Sequence, residues 1–333
     1  MLAETIQKLV EKRDLETDEA EGAMEEITGG NAPDSHIAAF LTALKMKGET
    51  PAEIYGLAKV MREKSVSVKA PPNAMDLCGT GGDGKGTFNI STAASFVVAG
   101  AGIPVAKHGN KSISSRCGSA DVLKELGINV DMDAGRAETC LRKCNIAFLF
   151  APNFHPSMMF VAPIRKQLGF RTVFNLLGPL CNPAKVKFQV LGVYDKALLP
   201  KIAEVLRLLG SERALVVASE TDEISASSET LAAEISNGAI RDYVINPQEF
   251  GFSSFTLGAI KGGDAKENAR IIRDVLDGIH SPYLDSVIIN AGAAIYIAGK
   301  AAGISKGIGI ALDSIHSGAA REALDKLRVE SNA

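Results

Sequence analysis

The chain has 333 residues, 46% hydrophobic and 23% charged, with 36 Lys+Arg against 39 Asp+Glu for a net charge of −3. These figures exclude intrinsic disorder, a collagenous repeat and a small disulfide-stapled scaffold, and they leave room for roughly two domains. With no excess of positive charge to neutralise a polyanion, nucleic acid is not an expected partner.

The first eight residues mix charged and apolar positions and lack the basic-then-apolar order of a signal peptide, so a cytoplasmic protein is expected. Residues 1–65 carry apolar positions at helical spacing, punctuated by Gly29-Gly30, Pro33 and Gly48. Thr50-Pro51-Ala52-Glu53 is a capping box with proline at the first helical position, and it predicts a helix to about Lys64. Helices without strands define a small helical lobe over residues 1–70.

Pro71-Pro72 ends that pattern. A strand-like run at 75–78 then meets Gly79-Thr80-Gly81-Gly82-Asp83-Gly84, followed by a predicted helix over 91–101, a strand over 103–106, a polar loop over 107–118 and a helix over 119–126. Alternation resumes with strands at 188–193, 213–217 and around Glu234-Ile235, a helix over 198–209, and closing helices over 265–276, 284–298 and 315–328. The expected fold class is therefore α/β: an all-helical N-terminal lobe and a large domain over 71–333 with a central, mostly parallel sheet. Residues 155–183, short helical pieces between prolines, are expected to return to the helical lobe, which places a ligand cleft between the two.

Two stretches without Asp, Glu, Lys or Arg, 88–106 and 145–164, are interrupted by polar residues and prolines, so no membrane span is expected. The five cysteines are odd in number and contain no C-x-x-C, which predicts buried thiols rather than disulfides or a zinc site.

Three elements carry chemistry. The 79–84 loop has four glycines in six residues directly after a strand, which lets backbone N–H groups close on phosphate oxygens, although neither the P-loop order nor a dinucleotide-binding context is present. Asn89-Ile90-Ser91-Thr92 gathers hydroxyls and free N–H groups at the positive end of a helix, where a plain N-cap would account for Asn89 or Ser91 alone. Lys107 to Arg116 brings three cations to the carboxyl edge of the sheet, where ligands of open α/β sheets bind. Together they favour a phosphate-rich ligand.

The series Gly79-Thr80-Gly81-Gly82-Asp83, Asn89-Ile90-Ser91-Thr92, Lys107-His108-Gly109-Asn110, Gly118-Ser119-Ala120-Asp121 and the stretch from Arg171 to Pro183 closely resembles the anthranilate phosphoribosyltransferases. The resemblance implies transfer of the phosphoribosyl group of 5-phosphoribosyl 1-diphosphate (PRPP) to the amino nitrogen of anthranilate, as the second step of tryptophan synthesis from chorismate, with about two Mg²⁺ ions, one travelling with PRPP.

Carried over residue by residue, the resemblance gives a PRPP site of Gly79, Gly82, Asp83, Thr87, Asn89, Ile90, Ser91, Thr92, Lys107, His108, Gly109, Asn110, Lys111, Ser112, Ser115 and Ser119. Gly79, His108, Asn110, Pro152, His155, Arg165 and Gly178 resemble the anthranilate contacts, and Ser91, Asp222 and Glu223 the metal ligands. Lys107, offsetting charge on the departing pyrophosphate, and Arg165, a cationic fork for a carboxylate, are the expected catalytic pair. A homodimer through the helical lobe is also implied.

Two positions depart from the family pattern. Met159 stands where a basic residue is usual, and Ala218-Ser219-Glu220-Thr221 replaces a glycine-containing lead-in before Asp222-Glu223. The competing readings are a pyrimidine nucleoside phosphorylase, which shares the Lys107 to Asn110 and Gly118 to Asp121 motifs, and a non-catalytic paralogue that binds nucleic acid.

Overall fold

The structure is a computed structural model that describes residues 1–111 and 116–333. The chain opens with α1 (Leu2–Val10), α2 (Thr17–Thr28), α3 (Asp34–Lys47) and α4 (Pro51–Lys64). The capping box forms as the sequence predicts: Thr50 Oγ1 accepts the N–H of Glu53 at 3.3 Å, and Glu53 Oε2 accepts that of Thr50 at 2.8 Å. Glu53 is buried, so its charge needs partners. Lys47 Nζ donates to it at 3.0 Å and the Leu15 N–H at 2.9 Å, which ties α3, α4 and the connection between α1 and α2 at one carboxylate.

The sheet has seven strands, β1 (Met75–Gly79), β2 (Val105–Gly109), β3 (Ile146–Phe150), β4 (Phe188–Gly192), β5 (Arg213–Ala218), β6 (Thr230–Ser236) and β7 (Ala239–Ile245), in the order β3-β2-β1-β4-β5-β6-β7. β1 to β5 are parallel, while β6 and β7 run antiparallel, giving the mostly parallel sheet expected.

β3 is a strand the sequence reading passes over, because Ile-Ala-Phe-Leu-Phe is a short, wholly buried apolar run with no period to read. The hairpin β6-β7 extends well beyond Glu234-Ile235, and its second strand is largely exposed at a sheet edge. The expected single helix over 315–328 is corrected to two, Ile304–His316 and Ala319–Ser331, separated at Gly318 with φ of 80°.

One apolar cluster surrounds β1 to β3 and the helices packed on them, including α5 (Ile90–Gly100) and the Pro282–Ile297 helix. A second joins Leu9, Met24, Ile27, Phe40, Leu41 and Leu57 of the first four helices to Val161, Ile164, Val173, Phe174, Leu177 and Leu180. All five cysteines are buried. No helix among the described residues is long and apolar enough to cross a membrane.

The strand order reverses between β1 and β4, whose registers align Gly79 with Gly192 at their carboxyl ends. That reversal opens a crevice beyond the strand ends, and the chemistry-bearing loops collect there.

Candidate functional site

The paired glycines form the floor. A Cβ built at Gly79 would lie 2.2 Å from Oδ2 of Asp222, and one at Gly192 only 1.6 Å from the Asp222 carbonyl oxygen. Only glycine lets the loop after β5 lie this close to the two strands. Held there, Asp222 Oδ2 accepts the N–H of Gly81 at 2.7 Å, and Glu223 Oε1 accepts that of Ser91 at 3.2 Å. The glycine loop, the start of α5 and the acidic pair, 130 and more residues apart in sequence, thus converge on one place.

Burial pushes the Asp222 carboxyl above its ordinary range, and Asp83 adds to the rise; Glu223 is raised by burial and by Asp222. Asp83 Oδ2 is buried without a partner. Neighbouring carboxylates and a serine hydroxyl form an oxygen-only donor set with excess negative charge. No group of three or more His, Cys, Asp or Glu among the described residues forms a metal cage. This set fits Mg²⁺, which takes one or two carboxylates and completes its shell with phosphate and water.

The positive counterpart is Lys107, only 4% exposed on β2. Its ammonium donates to the carbonyl of Leu77 at 2.5 Å and to Ser91 Oγ at 3.2 Å, between the charges of Asp76 and Glu223. Asp76, wholly buried on β1, accepts the N–H of His108 at 3.2 Å and an N–H of the Asn182 side chain at 2.8 Å. Burial pushes the Asp76 carboxyl up to about 6, against the pull of Lys107.

His108 Nδ1 donates to the carbonyl of Gly178 at 3.0 Å, and its ring lies 5.1 Å from that of His155. Burial pushes His108 down to about 3, with His155 adding to the fall, and burial pushes His155 down to about 4. Both imidazoles are neutral at physiological pH, and both Nε2 atoms are buried without a partner. Gly178 belongs to the Phe174–Leu180 helix, at whose start the Arg165 guanidinium sits 5.4 Å from the Phe174 ring centre. Arg165 is half-buried and has no acidic partner among the described residues, and burial lowers its pKa. An unpaired, desolvated guanidinium has the donors to receive a carboxylate.

The remaining predicted residues fall around this centre. Asn89 does not cap α5 with its side chain; its Nδ2 donates to the Cys117 carbonyl at 3.2 Å, and its Oδ1 accepts from Asn268 at 2.9 Å. Ile90 and Thr92 are buried, and Thr87 bridges to Lys261. Ser119 Oγ donates to the Asn110 carbonyl at 3.1 Å, and a Cβ at Gly109 would lie 2.4 Å from that hydroxyl. Lys111 Nζ lies 5.5 Å from the Phe150 ring centre, while Pro152 follows β3 in a short helical turn. Ser112 and Ser115 lie outside the described residues.

The unusual lead-in to the acidic pair is accounted for by its own hydroxyl: Ser219 Oγ accepts the Thr221 N–H at 3.0 Å and donates to the Glu223 carbonyl at 2.9 Å. Glu220 turns away and accepts from Ser228 Oγ at 3.2 Å. Met159, in the place of a basic residue, is exposed. Sequence reasoning misses Asp76, Asn182 and Asn268, which look like ordinary polar residues of a strand, a loop and a helix. It also gives no separate role to Arg171, whose guanidinium stacks 4.0 Å from the Tyr194 ring centre beside Gly82.

The model of a glycosyl transferase family helical bundle domain matches residues 3–65, and that of a glycosyl transferase family a/b domain matches residues 71–321. An anthranilate phosphoribosyltransferase of Methanocorpusculum labreanum is 50% identical over 98% of this chain and 97% of its own length. One from Pelotomaculum thermopropionicum is 50% identical over 98% and 96%. Among solved structures, the anthranilate phosphoribosyltransferase of Thermus thermophilus superposes with a TM-score of 0.94 at 40% identity, covering 99% of both chains. The Saccharomyces cerevisiae enzyme in complex with PRPP and Mg gives 0.91 at 30% identity, covering 99% of this chain and 98% of that one.

Proposed function

The chain belongs to the anthranilate phosphoribosyltransferases and transfers the phosphoribosyl group of PRPP to the amino nitrogen of anthranilate, and from that premise we propose how its residues divide the work. The observation that carries the assignment is the convergence of Asp222 and Glu223 on the N–H groups of Gly81 and Ser91. It sets acidic oxygens beside the two elements built to receive phosphate.

Asp222, Glu223 and Ser91 hold Mg²⁺, one of two ions, the other travelling with PRPP; bound there, the metal supplies charge neutralisation for the diphosphate. The backbone N–H groups of the 79–84 loop and the start of α5 take the phosphate oxygens, with Asp83, Thr87, Asn89, Thr92 and the 107–119 segment shaping the pocket. Lys107 holds Ser91 Oγ in place and offsets the charge of Glu223.

Arg165 receives the anthranilate carboxylate, which fixes the direction of the aromatic amine. His108 and His155, neutral and with bare Nε2 lone pairs, line its approach with Asn110, Pro152 and Gly178 and repel no positive charge developing on the amine. The C1–O bond to pyrophosphate breaks with its electron pair leaving on oxygen, the amine nitrogen forms the new bond from the opposite face, and the nitrogen then gives up a proton. Catalysis is by positioning and electrostatic stabilisation.

Residues 155–183 are assigned to the helical lobe, supported by the cluster they share with the first four helices. The protein is assigned to the cytoplasm as a homodimer through that lobe, in keeping with the exposed Met46 on α3. Mixing the chain with anthranilate, PRPP and Mg²⁺ and following anthranilate fluorescence tests the reading. Loss that EDTA abolishes is expected; no loss from folded protein would overturn it.

A further inference from the structure

Asn290 lies in the middle of the Pro282–Ile297 helix, 2% exposed among Val287, Ile289, Ala291 and Ala293. A primary amide buried in an apolar helix is costly unless both of its ends are bonded. Its Oδ1 accepts the N–H of Ile224 at 3.0 Å, and its Nδ2 donates to the carbonyl of Ile224 at 2.8 Å and to that of Ser286 at 2.8 Å. One side chain therefore grips both backbone polar groups of the residue that follows Glu223.

The backbone beside the acidic pair is otherwise tied by the loop itself and the strand it enters, since Ser219 Oγ bonds to the backbone of Thr221 and Glu223 and Thr230 Oγ1 accepts the N–H of Ser225 at 3.0 Å, whereas Gly81 and Ser91 reach the two carboxylates. Asn290 reaches in from a different layer, a helix packed on the face of the sheet. A two-sided grip at Ile224 fixes the peptide plane joining it to Glu223, and so the direction in which the acidic pair projects.

We propose that Asn290 is a positioning residue for Asp222 and Glu223, setting the geometry with which these carboxylates receive Mg²⁺ and, through it, PRPP. The inference rests on the reading of that pair as metal ligands. Outer-shell partners of metal ligands are worth roughly 10- to 100-fold in metal affinity. Asn290→Ala is accordingly expected to raise the Mg²⁺ concentration that half-saturates PRPP binding about tenfold, with little change in KM for anthranilate.

The test is calorimetric titration of PRPP into the full chain at stepped Mg²⁺ concentrations without anthranilate, alongside thermal melting. Ser314→Ala is the control for loss of a buried hydrogen bond elsewhere, since its buried hydroxyl donates to the Val97 carbonyl at 2.8 Å away from the loop. The inference is supported if both variants melt earlier and Asn290→Ala alone shifts the Mg²⁺ dependence. It is overturned if Asn290→Ala matches the parent in that dependence while Asp222→Asn abolishes it. If Asp222→Asn also leaves it unchanged, the metal-ligand reading falls and the inference with it. Should Asn290→Ala fail to fold, Asn290→Asp keeps the acceptor for the Ile224 N–H and loses both donations. A smaller shift in the same direction is then expected, and none at all refutes the proposal.

Discussion

Replacing Gly192 with alanine drives a methyl group into the backbone of the acidic loop. The new Cβ would lie 1.6 Å from the Asp222 carbonyl oxygen and 2.3 Å from its carbonyl carbon, whereas ordinary contact begins near 3.4 Å. The loop must retreat by about 1.8 Å, because backbone cannot rotate aside as a side chain can. Displacements of ~1 Å at a reacting centre cost on the order of 100-fold in rate. Gly192→Ala is therefore expected to lose at least that much kcat/KM, with a raised Mg²⁺ requirement, in the fluorescence assay run across a Mg²⁺ series. Gly79→Ala should shift the backbone less but displace the Asp222 carboxylate itself, since its Cβ lies 2.2 Å from Oδ2 and 3.2 Å from the carbonyl oxygen, so the Mg²⁺ requirement rises there too. A Gly192→Ala protein that melts like the parent and turns over within about threefold of it would show that the acidic loop need not rest on the strand ends.

Four further outcomes are expected. Arg165→Ala should raise KM for anthranilate by roughly 10- to 100-fold, the worth of a hydrogen bond to a charged group, with Arg165→Lys recovering part. Melting should change little, since the guanidinium has no acidic partner to strand among the described residues. Lys107→Met should lower both turnover and melting temperature, because it leaves Asp76 and Glu223 without their shared cation; an unshifted melt would argue against that burial. Asp76→Asn should raise KM for PRPP and lower kcat together, as its single amide oxygen cannot accept from both His108 and Asn182, while equal kinetics would reduce Asp76 to a core residue. Finally, His108 and His155 are held near 3 and 4, below an unfolded value of about 6.5, so the unfolded state binds more protons between those limits. Their contribution to stability is intact above about pH 6.5 and falls by up to ~1.4 kcal/mol per pH unit and per histidine below it. The buried carboxylates act in the opposite sense, so the check is the difference in urea midpoint between parent and His155→Gln at pH 7 and pH 5, expected to shrink at the lower pH.

What was legible in the sequence divides along a physical line. The capping box at Thr50, the glycine-rich turn after β1 and the parallel sheet follow from local pattern, since caps, turns and alternation are properties of neighbouring residues. β3 was hidden because a five-residue buried run has no period, and the break at Gly318 because one glycine between two apolar helices reads as tolerable inside either. The resemblance named the ligand-facing residues of the site, but it did not carry Asp76, Asn182 or Asn268. Asn182 bonds to Asp76 across 106 positions of chain and Asn268 to Asn89 across 179, and nothing in the local sequence of Asp76, Asn182 or Asn268 marks them.

That difference bears on how the site is built. The groups assigned to the substrates sit on strand ends and loops, where sequence gives them away as glycines, hydroxyls and cations. The groups that hold them in place are amides and a carboxylate sealed under the same loops, each with at least one bond to a segment distant in sequence. Asn182 bonds at once to Asp76 and to the Ala106 carbonyl, just before Lys107, so the end of the 155–183 segment is fastened to the two strands β1 and β2. A shift of that segment must therefore be felt at Lys107 and His108, because a fully satisfied buried amide cannot give up one bond without leaving a polar group unpaired.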